Sequence, residues 1–81
     1  MESRPPEEQK CRVTVQKRAK GKVVTVVERL VLAPDDLKAL GKALKNACGT
    51  GGTAKEGVVE LQGDCREKVE AWLDQKGWGR G

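Results

Sequence analysis

Four cations crowd one short stretch of this chain: Lys17, Arg18, Lys20 and Lys22, within QKRAKGK at 16–22. Ammonium and guanidinium groups at that density suit one chemistry above others, the binding of a polyanion through its phosphates. From Lys10 to Lys22 there are six basic residues and no acidic one. The whole chain has 16 basic and 12 acidic residues, a net charge of +4, so acids outnumber bases elsewhere. The positive excess is local. The plain alternative is a hairpin tip kept soluble by its lysines. A membrane surface also attracts basic clusters, but no amphipathic apolar face adjoins this one. A second set, Lys38, Lys42 and Lys45, recurs at steps of four and three and therefore shares one helix face.

Catalysis finds little to work with. The chain has no His, so the commonest general base near neutral pH is missing. Cys11, Cys48 and Cys65 have no C-x-x-C spacing, and three thiols without a His do not complete a usual four-ligand zinc set. An odd cysteine count without a secretory signal indicates thiols kept reduced. Cys11 and Cys48 read as small buried hydrophobes. Cys65 falls in the first turn of a helix, where the dipole favours a thiolate. A thiol enzyme built on Cys65 is the enzymatic rival to a binding role.

The glycine-threonine run Gly49-Thr50-Gly51-Gly52-Thr53 invites comparison with phosphate cradles. A P-loop needs a lysine after its last glycine, and none stands there. The dinucleotide motif runs strand, glycines, helix, and here the order is reversed. The run reads as a helix-to-strand turn whose N–H groups, with the Thr50 and Thr53 hydroxyls, can meet RNA phosphates. No enzymatic activity, cofactor, metal or small-molecule substrate is expected.

The elements that must position these residues follow from periodicity. Residues 1–10 are polar, contain Pro5-Pro6, and read as a mobile tail before a domain at 11–81. Cys11, Val13 and Val15 alternate with Arg12, Thr14 and Gln16, the pattern of a half-buried strand. Lys17 to Gly21 is a loop, with Gly21 free to take a positive φ. Val23 to Val27 is β-rich and reads as a central strand. Arg29 to Ala33 extends it or leads away. Pro34-Asp35-Asp36 opens a helix with Asp as its cap. Leu37, Leu40, Leu44 and Ala47 form its buried stripe, and Gly49 ends it. Residues 53–55 and 58–62 flank a tight turn at Glu56-Gly57. Asp64 caps the last helix, with Glu67 completing a capping box. Cys65, Val69, Trp72, Leu73 and the Lys76 stem line its inner face, and Gly77 stops it.

The order β-β-α-β-β-α, with strands apolar on one face, predicts an α+β two-layer sandwich. A four-stranded, mainly antiparallel or mixed sheet would carry both helices on one face. At 81 residues the chain is one domain and hides only about 60–65% of its unfolded surface. No apolar run is long enough to span a membrane, and MESRPPEEQK is no secretory signal. A cytoplasmic monomer is expected. Trp72 and Trp78 are the only aromatic residues; Trp72 reads as core and Trp78 as exposed. Base stacking, the usual device for single-stranded RNA, is therefore not the main one. Recognition through phosphates and shape suits a partner already folded.

Three segments in this order and spacing carry a resemblance: the strand 23–27 entered from QKRAKGK, the GTGGT run, and Leu61-Gln62-Gly63-Asp64. Over roughly Cys11 to Gly77 the chain resembles the translation initiation factor one family of eukaryotes and archaea, which has stand-alone bacterial relatives. The resemblance implies a non-catalytic factor. It would bind rRNA of the small ribosomal subunit near the initiator tRNA site and support start-codon fidelity. The family's basic probe loop matches Gln16 to Lys22, so the resemblance assigns RNA contact to Lys17, Arg18, Lys20 and Lys22. Lys38, Lys42 and Lys45 form a second candidate face. Asp64 matches the family's QGD step and reads as a helix cap. Relatives carry a further strand after the last helix. The ending Gly77-Trp78-Gly79-Arg80-Gly81 departs from this and leaves the sheet short of that edge. A general structured-RNA-binding regulator of the same fold is the rival binding role.

Overall fold

The computed structural model describes residues 2–79. Its elements are β1 (Arg12–Lys17), β2 (Val23–Glu28), α1 (Pro34–Cys48), β3 (Gly52–Lys55), β4 (Val58–Gln62) and α2 (Arg66–Gln75). The strands form one sheet in the order β1-β2-β4-β3, and every neighbouring pair is antiparallel. The α+β sandwich expected from the alternation is the one that forms. α1 packs on β3, β4 and α2, while α2 packs on β1.

The register explains why one face is covered. Val13 stands opposite Val27, Val27 opposite Val59, and Val59 opposite Ala54, one apolar row across all four strands. Against it lie Leu37, Leu40 and Leu44 of α1 and Val69 and Leu73 of α2, all in a single core. Burying each such side chain is worth about 1.5–3 kcal/mol. Val15, opposite Thr25 on the same face, is 36% exposed.

Three local expectations are corrected. Ala47 is exposed, and Gly41 takes its place in the α1 stripe. A Cβ at Gly41 would sit 2.8 Å from the Ala54 Cβ, so the helix backbone descends directly onto β3 there. The caps also differ. Ala33 is the N-cap of α1, with Pro34 at the first position and no capping side chain of its own. Ser3 supplies the oxygen instead: its Oγ accepts the Ala33 N–H at 2.8 Å and donates to Asp36. Cys65, not Asp64, is the N-cap of α2.

The segment ahead of β1 is hydrogen-bonded to the chain between β2 and α1. Gln9 is 2% exposed. Its Nε2 donates to Arg4 O and Val31 O, and its Oε1 accepts the Val31 N–H. β2 ends at Glu28; at the next residue, Arg29, φ is +62°, and the chain leaves the sheet so that Leu30 and Leu32 enter the core. Beyond α2, Gly79 lies beside the start of β1, accepting the Cys11 N–H at 3.2 Å. Trp78, expected to be exposed, is half-buried against the core. Its N–H donates to Leu73 O at 2.8 Å, and its ring centroid is 6.4 Å from that of Trp72.

Candidate nucleic-acid interface

The β1–β2 connection closes at the pair Lys17–Val23, leaving residues 18–22 as its loop. The Arg18 N–H donates to Lys22 O at 2.6 Å. Lys20 and Gly21 both take the left-handed region, with φ +63° and +73°. A glycine does this freely, whereas a lysine does it at a cost of roughly 1 kcal/mol. Lys17, Arg18, Lys20 and Lys22 are all exposed.

The four cations are not equivalent. Arg18 folds back: its Nη2 donates to Gln16 Oε1 at 3.0 Å and to Glu60 Oε2 at 3.1 Å. Gln16 is on β1 and Glu60 on β4, so the guanidinium spans β2 on the face away from the helices. Among the described residues, no ion pair engages Lys17, Lys20 or Lys22. Three lysines therefore present charge at the tip, while Arg18 presents a half-compensated charge on the open sheet.

The α1 lysines form a second group. Lys38 and Lys42 are exposed and Lys45 is half-buried. With Gly41, Asn46, Thr50 and Ala54 they line a groove of about 600 Å3. At 1.5 Å per residue, Lys38 and Lys45 are about 10 Å apart along the axis. Thr50 turns out to be a fastener. Its hydroxyl donates to Gln62 O at 3.0 Å and its N–H to Lys45 O at 3.1 Å.

The strand order gathers the sequence's distinctive segments at one end of the sheet. The Gly63 N–H donates to Val23 O at 2.8 Å, just after the basic loop. The Gln62 N–H donates to Gly51 O at 2.9 Å, inside the glycine-threonine run. β4 lies between β2 and β3 and so ties the two loops together. The basic loop and the α1 groove flank this end. They are separated by the intervening strands, on the order of 10 Å at about 4.8 Å per strand. Gly52 has a specific reason to be glycine: a Cβ would meet Glu60 O at 2.1 Å.

Chemically, the arrangement offers ammonium donors, backbone N–H groups and one guanidinium to phosphate oxygens. The half-buried Trp pair packs against the core. Among the described residues, no group of three or more His, Cys, Asp or Glu side chains could hold a metal ion. No helix among them is long and apolar enough to cross a membrane. Sequence reasoning missed Glu60 as the partner of Arg18, since only the register of β4 brings it near. It also missed Asn46, which carries no charge to flag it.

The family model described as translation initiation factor SUI1 matches residues 7–79. The chain is 46% identical over 74 residues to the protein translation factor SUI1 homolog of Methanocaldococcus jannaschii, an alignment spanning 91% of this chain and 72% of that protein. The homolog of the same description from Sulfurisphaera tokodaii is 43% identical over 72 residues, 89% of this chain and 72% of its own length. An uncharacterized protein of Synechocystis sp. is 49% identical over 75 residues, 91% of this chain and 68% of that protein. With a family match over nearly its full length and archaeal relatives at this identity, the chain belongs to the translation initiation factor SUI1 family.

Proposed function

We propose that this protein acts as a non-catalytic translation initiation factor in the cytoplasm. It binds as a monomer to the small ribosomal subunit through rRNA, close to the initiator tRNA, and supports start-codon fidelity. Lys17, Lys20 and Lys22 make the leading phosphate contacts, with Arg18 joining them once it leaves Glu60. Lys38, Lys42 and Lys45 form a second contact surface.

The observation that carries this reading is the common end of the sheet. There the exposed basic loop, the glycine-threonine run and the Gln62-Gly63 step are tied by hydrogen bonds. A rigid, two-sided basic end fits a folded RNA whose phosphates are already fixed in space. The half-buried, mutually packed tryptophans support shape recognition over base stacking.

Co-sedimentation across a salt series tests it, with purified small subunits set beside large subunits and an unrelated structured RNA. Saturable binding to the small subunit alone is expected. Equal binding to every RNA would replace this reading with a general structured-RNA-binding regulator.

A further inference from the structure

Cys48 ends α1 and Cys65 caps α2, and the fold sets both in the lining of one cavity. They line one cavity of about 690 Å3 with Val15, Thr50, Gln62 and Arg66. Each is half-buried and packed on the core, and Cys65 is close enough to act on the Cys48 thiol. Cys65 is held from below. Its N–H donates to Thr25 Oγ1 at 2.9 Å and its Sγ–H to the same oxygen at 3.5 Å. Thr25 is fully buried and donates its own proton to Gly63 O at 2.8 Å. One sulfur is thus fixed to a central strand and the other to a helix end, and both are reachable from solvent.

We propose that Cys48 and Cys65 form a redox-responsive dithiol, which closes to an intramolecular disulfide on meeting a low-molecular-weight disulfide. Neither the family relationship nor RNA binding supplies this property.

The thiols take different parts. Burial, then the hydrogen bond and charge of Cys65, push the Cys48 thiol up to about 11 from its ordinary 9.0, against the opposing pull of Lys68. Cys65 makes the first attack and Cys48 the second. Cys65 sits at the head of α2. Its thiol loses its proton to solvent and attacks one sulfur of the oxidant, breaking that S–S bond. A thiolate leaves and is protonated. Cys48 then loses its proton as it attacks the Cys65 sulfur of the mixed disulfide, expelling the second small thiol. Two protein S–H groups become one S–S bond, and one small disulfide becomes two thiols. Cys11 takes no part, because it is fully buried and its Sγ–H donates to Gly79 O at 3.2 Å.

The test uses the full chain in glutathione buffers of graded redox ratio, alkylated in denaturant and read by intact mass and tryptic mapping. Oxidation should remove two of the three alkylatable thiols, lower the mass by two hydrogens, and link the tryptic peptides 46–55 and 56–66. Cys11→Ala should give the same link. Cys48→Ser should stop at a glutathione adduct on Cys65. The wild-type map decides the matter even where a variant fails to fold. Three alkylatable thiols at every ratio would overturn the proposal. So would a stable single glutathione adduct in the wild type, a link through Cys11, or a disulfide between chains.

Discussion

Arg18 Nη2 lies 3.1 Å from Glu60 Oε2, tying the β1–β2 loop to β4 across the strand between them. Both side chains are well exposed, at 43% and 39%, so the pair itself contributes about 0.2–1 kcal/mol to stability. Its larger consequence is for binding, since Glu60 competes with phosphate for the guanidinium. Glu60→Gln should raise affinity for the small subunit and steepen its salt dependence. The urea midpoint should barely move. Weaker or unchanged binding would mean that Arg18 stays on the sheet in the complex.

The tip can be tested as a set. Replacing Lys17, Arg18, Lys20 and Lys22 together by Ala should weaken binding and flatten the log–log salt slope, by roughly 0.7–0.9 per lost phosphate contact. A full slope in that variant would move the interface elsewhere, with the Lys38, Lys42 and Lys45 groove next in line.

Thr25 joins two segments through one oxygen, accepting the Cys65 N–H and donating to Gly63 O. Thr25→Val keeps the shape but leaves both partners unpaired, which should cost about 1–3 kcal/mol in urea unfolding. Thr25→Ser keeps the hydroxyl. Amide exchange at Cys65 should quicken in the valine variant and not in the serine one.

Helix propensity alone makes Gly41→Ala favourable by about 1 kcal/mol. The 2.8 Å approach to the Ala54 Cβ reverses the sign, and overpacking of this kind costs about 1–3 kcal/mol. Ala54→Gly in the same chain should restore most of the loss. An additive double mutant would show that the contact is not what requires glycine.

Two turns hold strain that can be released. Glu56 and Gly57 take φ +52° and +74°, the pair of left-handed residues that a two-residue hairpin turn needs and that Asn-Gly fits best. Glu56→Asn should stabilise by roughly 0.5–1 kcal/mol. Lys20→Asn should stabilise similarly while weakening RNA binding. Stability and affinity would then move in opposite directions at a residue assigned to function.

The raised Cys48 thiol makes an alkaline prediction. The unfolded chain gives up that proton near pH 9.0, while the folded chain holds it to about 11. The folded state therefore binds more protons between those values, and its stability should fall across that window. Below it the thiol is protonated in both states and adds no pH dependence. Reduced protein followed by urea unfolding at several pH values should show the decline, and Cys48→Ser should remove that part of it.

The sequence by itself determined the element order, the α+β class and the apolar rows. Each is written in a local period: alternation in Cys11-Arg12-Val13, helical spacing in Leu37, Leu40 and Leu44, and glycine at Gly49 and Gly57. The cluster of cations at Lys17, Arg18, Lys20 and Lys22 was equally plain, because charge density needs no fold to be counted. What only the tertiary structure decided is pairing between distant residues. The strand order brings β4 beside β2, and that placement gives Arg18 its partner Glu60 and fastens Gly51 to Gln62. Ser3 and Thr25 serve the starts of α1 and α2 from far along the chain; the local signal at Asp35 and Asp36 missed the α1 cap, while Asp64 stands one residue before the α2 cap and accepts the Arg66 N–H at 3.5 Å. Gly41 replaced Ala47 in the helix stripe because a periodicity records which face is buried and not how closely the neighbouring strand approaches. The meeting of Cys48 and Cys65 at one cavity is of the same kind. It exists because two helix ends meet at one edge of the core, and no spacing within the sequence encodes that.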